Sequence, residues 1–264
     1  LIIKKNQFLY LSLLYFSNLL AYHPNTIIIE NNLERELITP SSSLININNM
    51  AYWIYKDGSG TTVGSLNGVQ GDYPVFTGGL IYEDGMLWGV KSNEYPNSEP
   101  VRVGGSTYYK GMKAGYVVYD EVGNVLGSSH PDNHHVWRVR SNWDTAELEL
   151  DAATFYGVTI EDVTAWQVQN IRDQYEYDWN HWPVAWGAPY DDQDGNDLYD
   201  PNVDIPGYPG ADQTLWTISN DVPTILDNDG NPTEMWETSF DLYGSEPVGV
   251  ELRITMWAYD IGPD

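Results

Sequence analysis

The sequence predicts a mainly β protein: β-sandwich-like antiparallel sheets with one helix, at about 159–177, and long acidic loops. Three observations carry that expectation. Val248, Val250, Leu252, Ile254 and Met256 alternate with other residues at the period of a half-buried strand. Turn pairs flanked by apolar runs recur along the chain, and a helical pattern is confined to one stretch. With 264 residues, 42 % of them hydrophobic, the chain can bury a core of its own.

The elements follow in order. Lys4 and Lys5 precede an apolar run from Phe8 to Ala21 (FLYLSLLYFSNLLA). A basic start and a short apolar segment ending in a small residue make residues 1–21 an expected signal peptide, to be removed between Ala21 and about residue 45. Ser12, Ser17 and Asn18 interrupt the run, which is too short for a comfortable membrane span. Residues 22–44 read as a linker or amino-terminal strand region, with a first strand at Leu44–Ile47. Residues 45–264 read as a single β-rich extracellular domain. Ile81–Val90 centres an Asp84–Gly85 pair, the signal of a tight hairpin, and Tyr116–Leu126 is a second hairpin around Glu121–Asn124. Val136–Arg140 and Leu215–Ser219 are further short strands. Thr159–Tyr177 opens with a capping-box-like Thr159 and Asp162 and carries apolar Val163, Trp166 and Ile171, which predicts the one helix.

Charge sets the function classes. There are 38 acids against 12 Lys and Arg, a net −26. The first fifty residues net to zero, so the whole imbalance falls after them. Nucleic acid and anionic membrane surfaces are excluded as partners, since both need a basic face. The chain's 11 Trp, 20 Tyr and 5 Phe argue against an acidic disordered chain. Cysteine is absent, which removes disulfides, thiolate zinc sites and cysteine nucleophiles. No G-x-S-x-G, P-loop or H-E-x-x-H is present, so no enzyme is expected.

Residues 173–252 hold 18 acids and no Lys or Arg. Folding brings many of them within a Debye length of about 8 Å, a repulsion that bound cations would relieve. The loop 191–204 (DDQDGNDLYDPNVD) places Asp192, Asp194 and Asn196 at alternate positions, then Leu198 for a carbonyl, Asp200, and Asp204. Alternate oxygens on a turning loop suit Ca2+, which takes about 6–8 oxygen ligands. These residues resemble the calcium loops of dockerin and thrombospondin type 3 repeats, whose D-x-[DN]-x-[DN] start and later Asp are matched. Asp197 stands where such loops favour Gly, and no Glu closes the loop at its twelfth position. Asp227, Asp229, Asn231 and Glu234 offer a second oxygen set, although Asp229–Gly230 is equally a hairpin turn. His130, His134 and His135, with Asp132, could ligate a transition metal, but adjacent histidines leading into a strand face opposite ways, which favours solvated loop histidines. His181 is expected to pack among tryptophans.

Tyr175, Trp179, Trp182, Trp186 and Tyr190 crowd one stretch. Exposed, they would stack on sugar rings of a glycan or on a neighbouring subunit; buried, they would be core beneath long loops.

A wider resemblance runs through Ile45–Gly60 (ININNMAYWIYKDGSG), Gly78–Lys91, Val101–Gly115, Gly187–Trp216 and Tyr243–Tyr259. Together they resemble the amino-terminal region of large secreted surface proteins of Bacteroidota-type bacteria, many of which carry a carboxy-terminal type IX sorting domain. The resemblance implies export and a cell-surface or extracellular role, and it brings no catalytic residues. Two expectations follow. The first is a calcium-stabilised, non-enzymatic structural or adhesive protein, a surface-layer, fibre or adhesin subunit that forms a homopolymer or meets a cell-surface partner. The second is a carbohydrate-binding module or glycoside hydrolase using the 175–190 cluster.

Overall fold

The computed structural model describes residues 40–62, 65, 67–91, 101–107, 111–235 and 247–260. The expected signal peptide, residues 1–21, and most of the expected linker lie outside them. The protein is mainly β. Its strands are β1 (Ser42–Ile45), β2 (Ala51–Tyr55), β3 (Gly71–Asp72), β4 (Gly79–Ile81), β5 (Leu87–Lys91), β6 (Val101–Gly105), β7 (Lys113–Ala114), β8 (Val117–Tyr119), β9 (Val125–Ser128) and β10 (Trp137–Arg140). Two helices follow, α1 (Glu149–Tyr156) and α2 (Ala165–Asn180). Then come β11 (Tyr190–Asp191), β12 (Ile205–Pro206), β13 (Gln213–Asn220), β14 (Thr224–Leu226), β15 (Pro232–Met235) and β16 (Glu251–Ala258).

The central sheet is ordered β10-β13-β16, with β7 pairing onto the far end of β13. All eight residues of β13 are buried, although five of them are polar. Both faces are covered, which is why the alternation expected of a half-exposed strand is missing there. One face carries Leu215, with Met256 and Ile254 paired beside it, and packs against Ile45 and Ile54 of the β1-β2-β3-β4 sheet. The other carries Trp216 and Ile218, with Trp137 and Val139 from β10 beside them, under an aromatic layer supplied by the α2 end and the loop after it. The β1–β4 sheet in turn seats α1 and α2 through Leu44, Trp53, Leu148, Phe155 and Ile171. The remaining pairs are β5–β6, β11–β12 and the sheet β15-β14-β9-β8, whose β9–β14 contact is parallel.

Four of the five buried polar side chains of β13 are bonded, Ser219 Oγ being the exception. Gln213 Nε2 donates to Asn46 Oδ1 and Tyr175 OH, Thr217 Oγ1 donates to the Lys56 carbonyl, and Thr214 Oγ1 accepts from Tyr208 N. Between the two sheets Arg138 Nη2 donates to Asp151 and Asn46, while Tyr175 OH donates to Asp151 Oδ2 at 2.6 Å.

The helical expectation needs correction: there are two α-helices among the described residues, not one at 159–177. α1 ends where Gly157 takes a left-handed φ of 62°, a conformation that suits glycine. Thr159 and Asp162 bracket only a short 3₁₀ turn, and the capping box belongs to Thr164 and Gln167, whose side chains each bond the other's backbone N–H. The Asp84–Gly85 hairpin does not form either. β4 pairs with β3, and β5 pairs with β6. Asp84 instead accepts from Tyr52 OH and donates its N–H to Gln70 Oε1, and Gly85 lies so close to Ser106 and Thr107 that a Cβ would meet Thr107 at 2.6 Å. The Tyr116–Leu126 hairpin and the β10 and β13 strands form where expected, and the closing strand β16 runs Glu251–Ala258, starting later than the Val248 expected from the alternation.

Candidate metal centre

The 191–204 loop is built by its own carboxylates. Asp192 Oδ1 accepts from Gly195 N and Asn196 N, and its Oδ2 from Asp197 N. Those backbone donors, Asp197 N–H foremost, hold the Asp192 pKa below the usual carboxylate value. Gly195 and Asp197 both take left-handed backbone, φ 72° and 60°, so Asp197 adopts the conformation that a Gly would supply. Asp204 is buried where the loop returns, accepting from Gln193 N at 2.9 Å and Asp200 N at 2.8 Å. The short β11–β12 pair closes the base.

This folding brings Asp192, Asp194 and Asp204 together: one oxygen from each lies within 4.8 Å of the others. They are the one such group of three His, Asp or Glu side chains among the described residues. The donors are hard oxygens at a half-buried mouth, a set that suits Ca2+ rather than a softer metal. The negative potential is felt by the neighbouring phenols. Partial desolvation and then Asp192 and Asp204 raise the Tyr190 pKa; burial and then Asp204 and Asp200 raise that of Tyr199. The other expected ligands lie at the edge of the group. Asn196 uses its Oδ1 on Leu198 N and its Nδ2 on Asp194 Oδ2. Asp200 turns its carboxylate to Asn202, and Leu198 is exposed.

At the second expected site, Asp227 accepts from Asp229 N and Asn231 N and forms the turn between β14 and β15, so the hairpin reading holds there. Among the described residues Asp229 joins no group of three carboxylates, Asn231 Nδ2 turns to the Asp227 carboxylate, and Glu234 stands opposite Ile225 in the strand pairing.

The aromatic stretch is core rather than platform, a correction to the surface expected at 175–190. Tyr175 and Trp182 are only 1 % and 4 % exposed. Trp179, Trp186 and Tyr190 are half-buried against the cluster of Trp137, Trp182 and Trp216. Two of these indoles find a carbonyl: Trp182 Nε1 donates to Pro189 O at 2.7 Å and Trp179 Nε1 to Pro201 O at 3.0 Å, while the buried Trp137 Nε1 has no partner. The Pro189 carbonyl accepts a second bond from Gly207 N, so both of its lone pairs are used. The exposed aromatic stack lies elsewhere, where Tyr208 and Trp257 are parallel with ring centroids 4.0 Å apart.

The histidines also depart from expectation. His134 and His135 are buried, not solvated. They do point apart: His134 Nε2 meets Ser129 Oγ and the His135 Nε2 meets Asp178 Oδ1, each at 2.8 Å. Burial pushes the His134 pKa down to about 4, so it stands neutral beside Trp186. His181 is exposed and stacked on Tyr177 rather than packed among tryptophans.

Buried acids of the cation-free segment are met largely by backbone amides. Asp178 takes Arg138 N, and Asp221 takes Val248 N and Val250 N. This sink for negative charge is invisible to a count of lysines. Among the described residues no helix is long and apolar enough to cross a membrane. No family model, curated protein or solved structure matches the chain.

Proposed function

We propose that the protein is a secreted, non-enzymatic structural or adhesive component of a cell surface, a surface-layer, fibre or adhesin subunit whose acidic loop is clamped by calcium. The convergence of Asp192, Asp194 and Asp204 within 4.8 Å supports this reading. Three carboxylates repel one another in a segment that carries no Lys or Arg, and a divalent cation turns that repulsion into attraction. The cysteine-free, acidic composition and the basic-then-apolar start fit export.

Because the ion binds the folded loop, stability rises with free calcium as RT ln(1 + [L]/Kd), about 2.7 kcal/mol at a hundredfold excess over Kd. The melting temperature is expected to rise by roughly 5–10 °C between EGTA and millimolar calcium. Asp194→Ala is expected to abolish the response, and magnesium to reproduce little of it, since it demands octahedral geometry and keeps its waters. A wild-type melt unmoved by chelation defeats the calcium reading. Export has its own measurement: amino-terminal sequencing of protein recovered outside the cell is expected to start between Ala21 and about residue 45. A chain retained inside the cell with residues 1–21 intact defeats the secreted role.

A further inference from the structure

Lys113 of β7 stands directly opposite Asn220 of β13 in antiparallel register, so the two side chains leave the same face of the sheet. Neither reaches water: Lys113 is 4 % exposed and Asn220 0 %. The amine donates to Asn220 Oδ1 at 3.0 Å and to the Val222 carbonyl oxygen. The carboxamide is fixed on both sides. Its Oδ1 also accepts from Val222 N at 3.0 Å, and its Nδ2 donates to Gly115 O and Ser128 Oγ, each at 2.8 Å. The amide therefore presents its carbonyl, not its nitrogen, to the lysine. Asp221, the next residue, is buried too, and its charge acts on the amine.

An amine and a carboxamide held together in a buried site are a reactive pair, because proximity removes much of the entropic barrier to condensation. We propose that Lys113 and Asn220 condense to an intramolecular isopeptide bond that joins β7 to β13. The Lys113 ammonium gives up one proton, and the freed lone pair of Nζ attacks Asn220 Cγ to form the new C–N bond. The tetrahedral centre collapses by breaking the Cγ–Nδ2 bond. Nδ2 takes one proton from the attacking nitrogen and one from the original ammonium, the latter relayed by the Asp221 carboxylate. One ammonium and one carboxamide become one secondary amide and one ammonium ion, and no oxidant or other reactant is consumed. The local electrostatics run the same way. Burial brings the Lys113 pKa down to about 8, nearer its nucleophilic neutral form, and burial raises that of Asp221, which suits a group that takes a proton and returns it.

Such a bond would close a loop between residues 107 positions apart in a chain that has no cysteine with which to make a disulfide. The test is peptide mapping by mass spectrometry on the folded full-length protein. The peptide carrying Lys113 is expected joined to the peptide carrying Asn220, lighter by one ammonia than the two summed. The joined species is expected to vanish in Lys113→Arg and in Asn220→Ala. Folded wild-type protein that yields both peptides separately at their sequence masses overturns the proposal. So does an ammonia lost from the Asn220 peptide alone, which ring closure of Asn220 onto the Asp221 amide would give. The wild-type map decides between these outcomes whether or not the variants fold.

Discussion

Asp151→Ala is expected to lower the free energy of unfolding by about 3–5 kcal/mol, the range for breaking one side of a buried ion pair. The carboxylate sits in the first turn of α1 with a side chain only 2 % exposed, and it holds three groups at once. Arg138 Nη2 and Asn46 Nδ2 both reach its Oδ1, and the Tyr175 hydroxyl reaches its Oδ2. Arg140 approaches at 3.9 Å. Alanine leaves the Arg138 guanidinium buried with its charge unmatched, and it leaves the tyrosine hydroxyl without its acceptor. Urea unfolding measures the loss. The double variant Asp151→Ala with Arg138→Met removes both charges and is expected to recover much of it, because the penalty belongs to the stranded cation rather than to the missing bond. A single-variant loss below about 1 kcal/mol would show that water enters the network and screens it.

Trp182→Ala is expected to cost about 3–5 kcal/mol, as large aromatic truncations in a core do. The indole fills the space between Trp137, Trp216 and Ala188, and its N–H satisfies the Pro189 carbonyl. Removing it opens a cavity and leaves the Pro189 carbonyl with only its Gly207 N–H partner. Trp257→Ala is the contrast: its side chain is 44 % exposed at the edge of β16, and a much smaller loss is expected. Comparable losses for the two variants would count against the inward packing of Trp182.

Local signals were legible before any coordinates: the turn residues of the β8–β9 and β14–β15 hairpins and the alternation that announced most of β16 are of this kind. The meeting of Asp192, Asp194 and Asp204 was legible because the spacing of the acids is local, whereas Asp200 turns to Asn202 instead. What failed to show was which side of an aromatic stretch meets protein. Trp179 and Trp182 carry one polar atom each, and these are met by carbonyls at Pro201 and Pro189 that a composition cannot weigh. α1 had a signal that went unread, two acids in its first turn and Gly157 at its end. Lys113 and Asn220 offered none. Their meeting is a product of β7–β13 register alone, as is the meeting of Arg138 with Asp151 a product of helix docking.

The position of β13 at the middle of its sheet bears on the order in which the chain can fold. Its partners begin at Lys113, at Trp137 and at Glu251, so the pairings span long stretches of sequence on both sides. A ribosome delivers β7 and β10 well before β13, and the last partner is complete only when Ala258 has emerged. Until then one long edge of the central strand has no neighbour, and the core face built from Leu215, Ile254 and Met256 lacks the last two of these. A topology dominated by such distant contacts has a high contact order, which slows folding, because loop closure must precede any reward. The protein thus completes this core only once β16 is available to pair with β13.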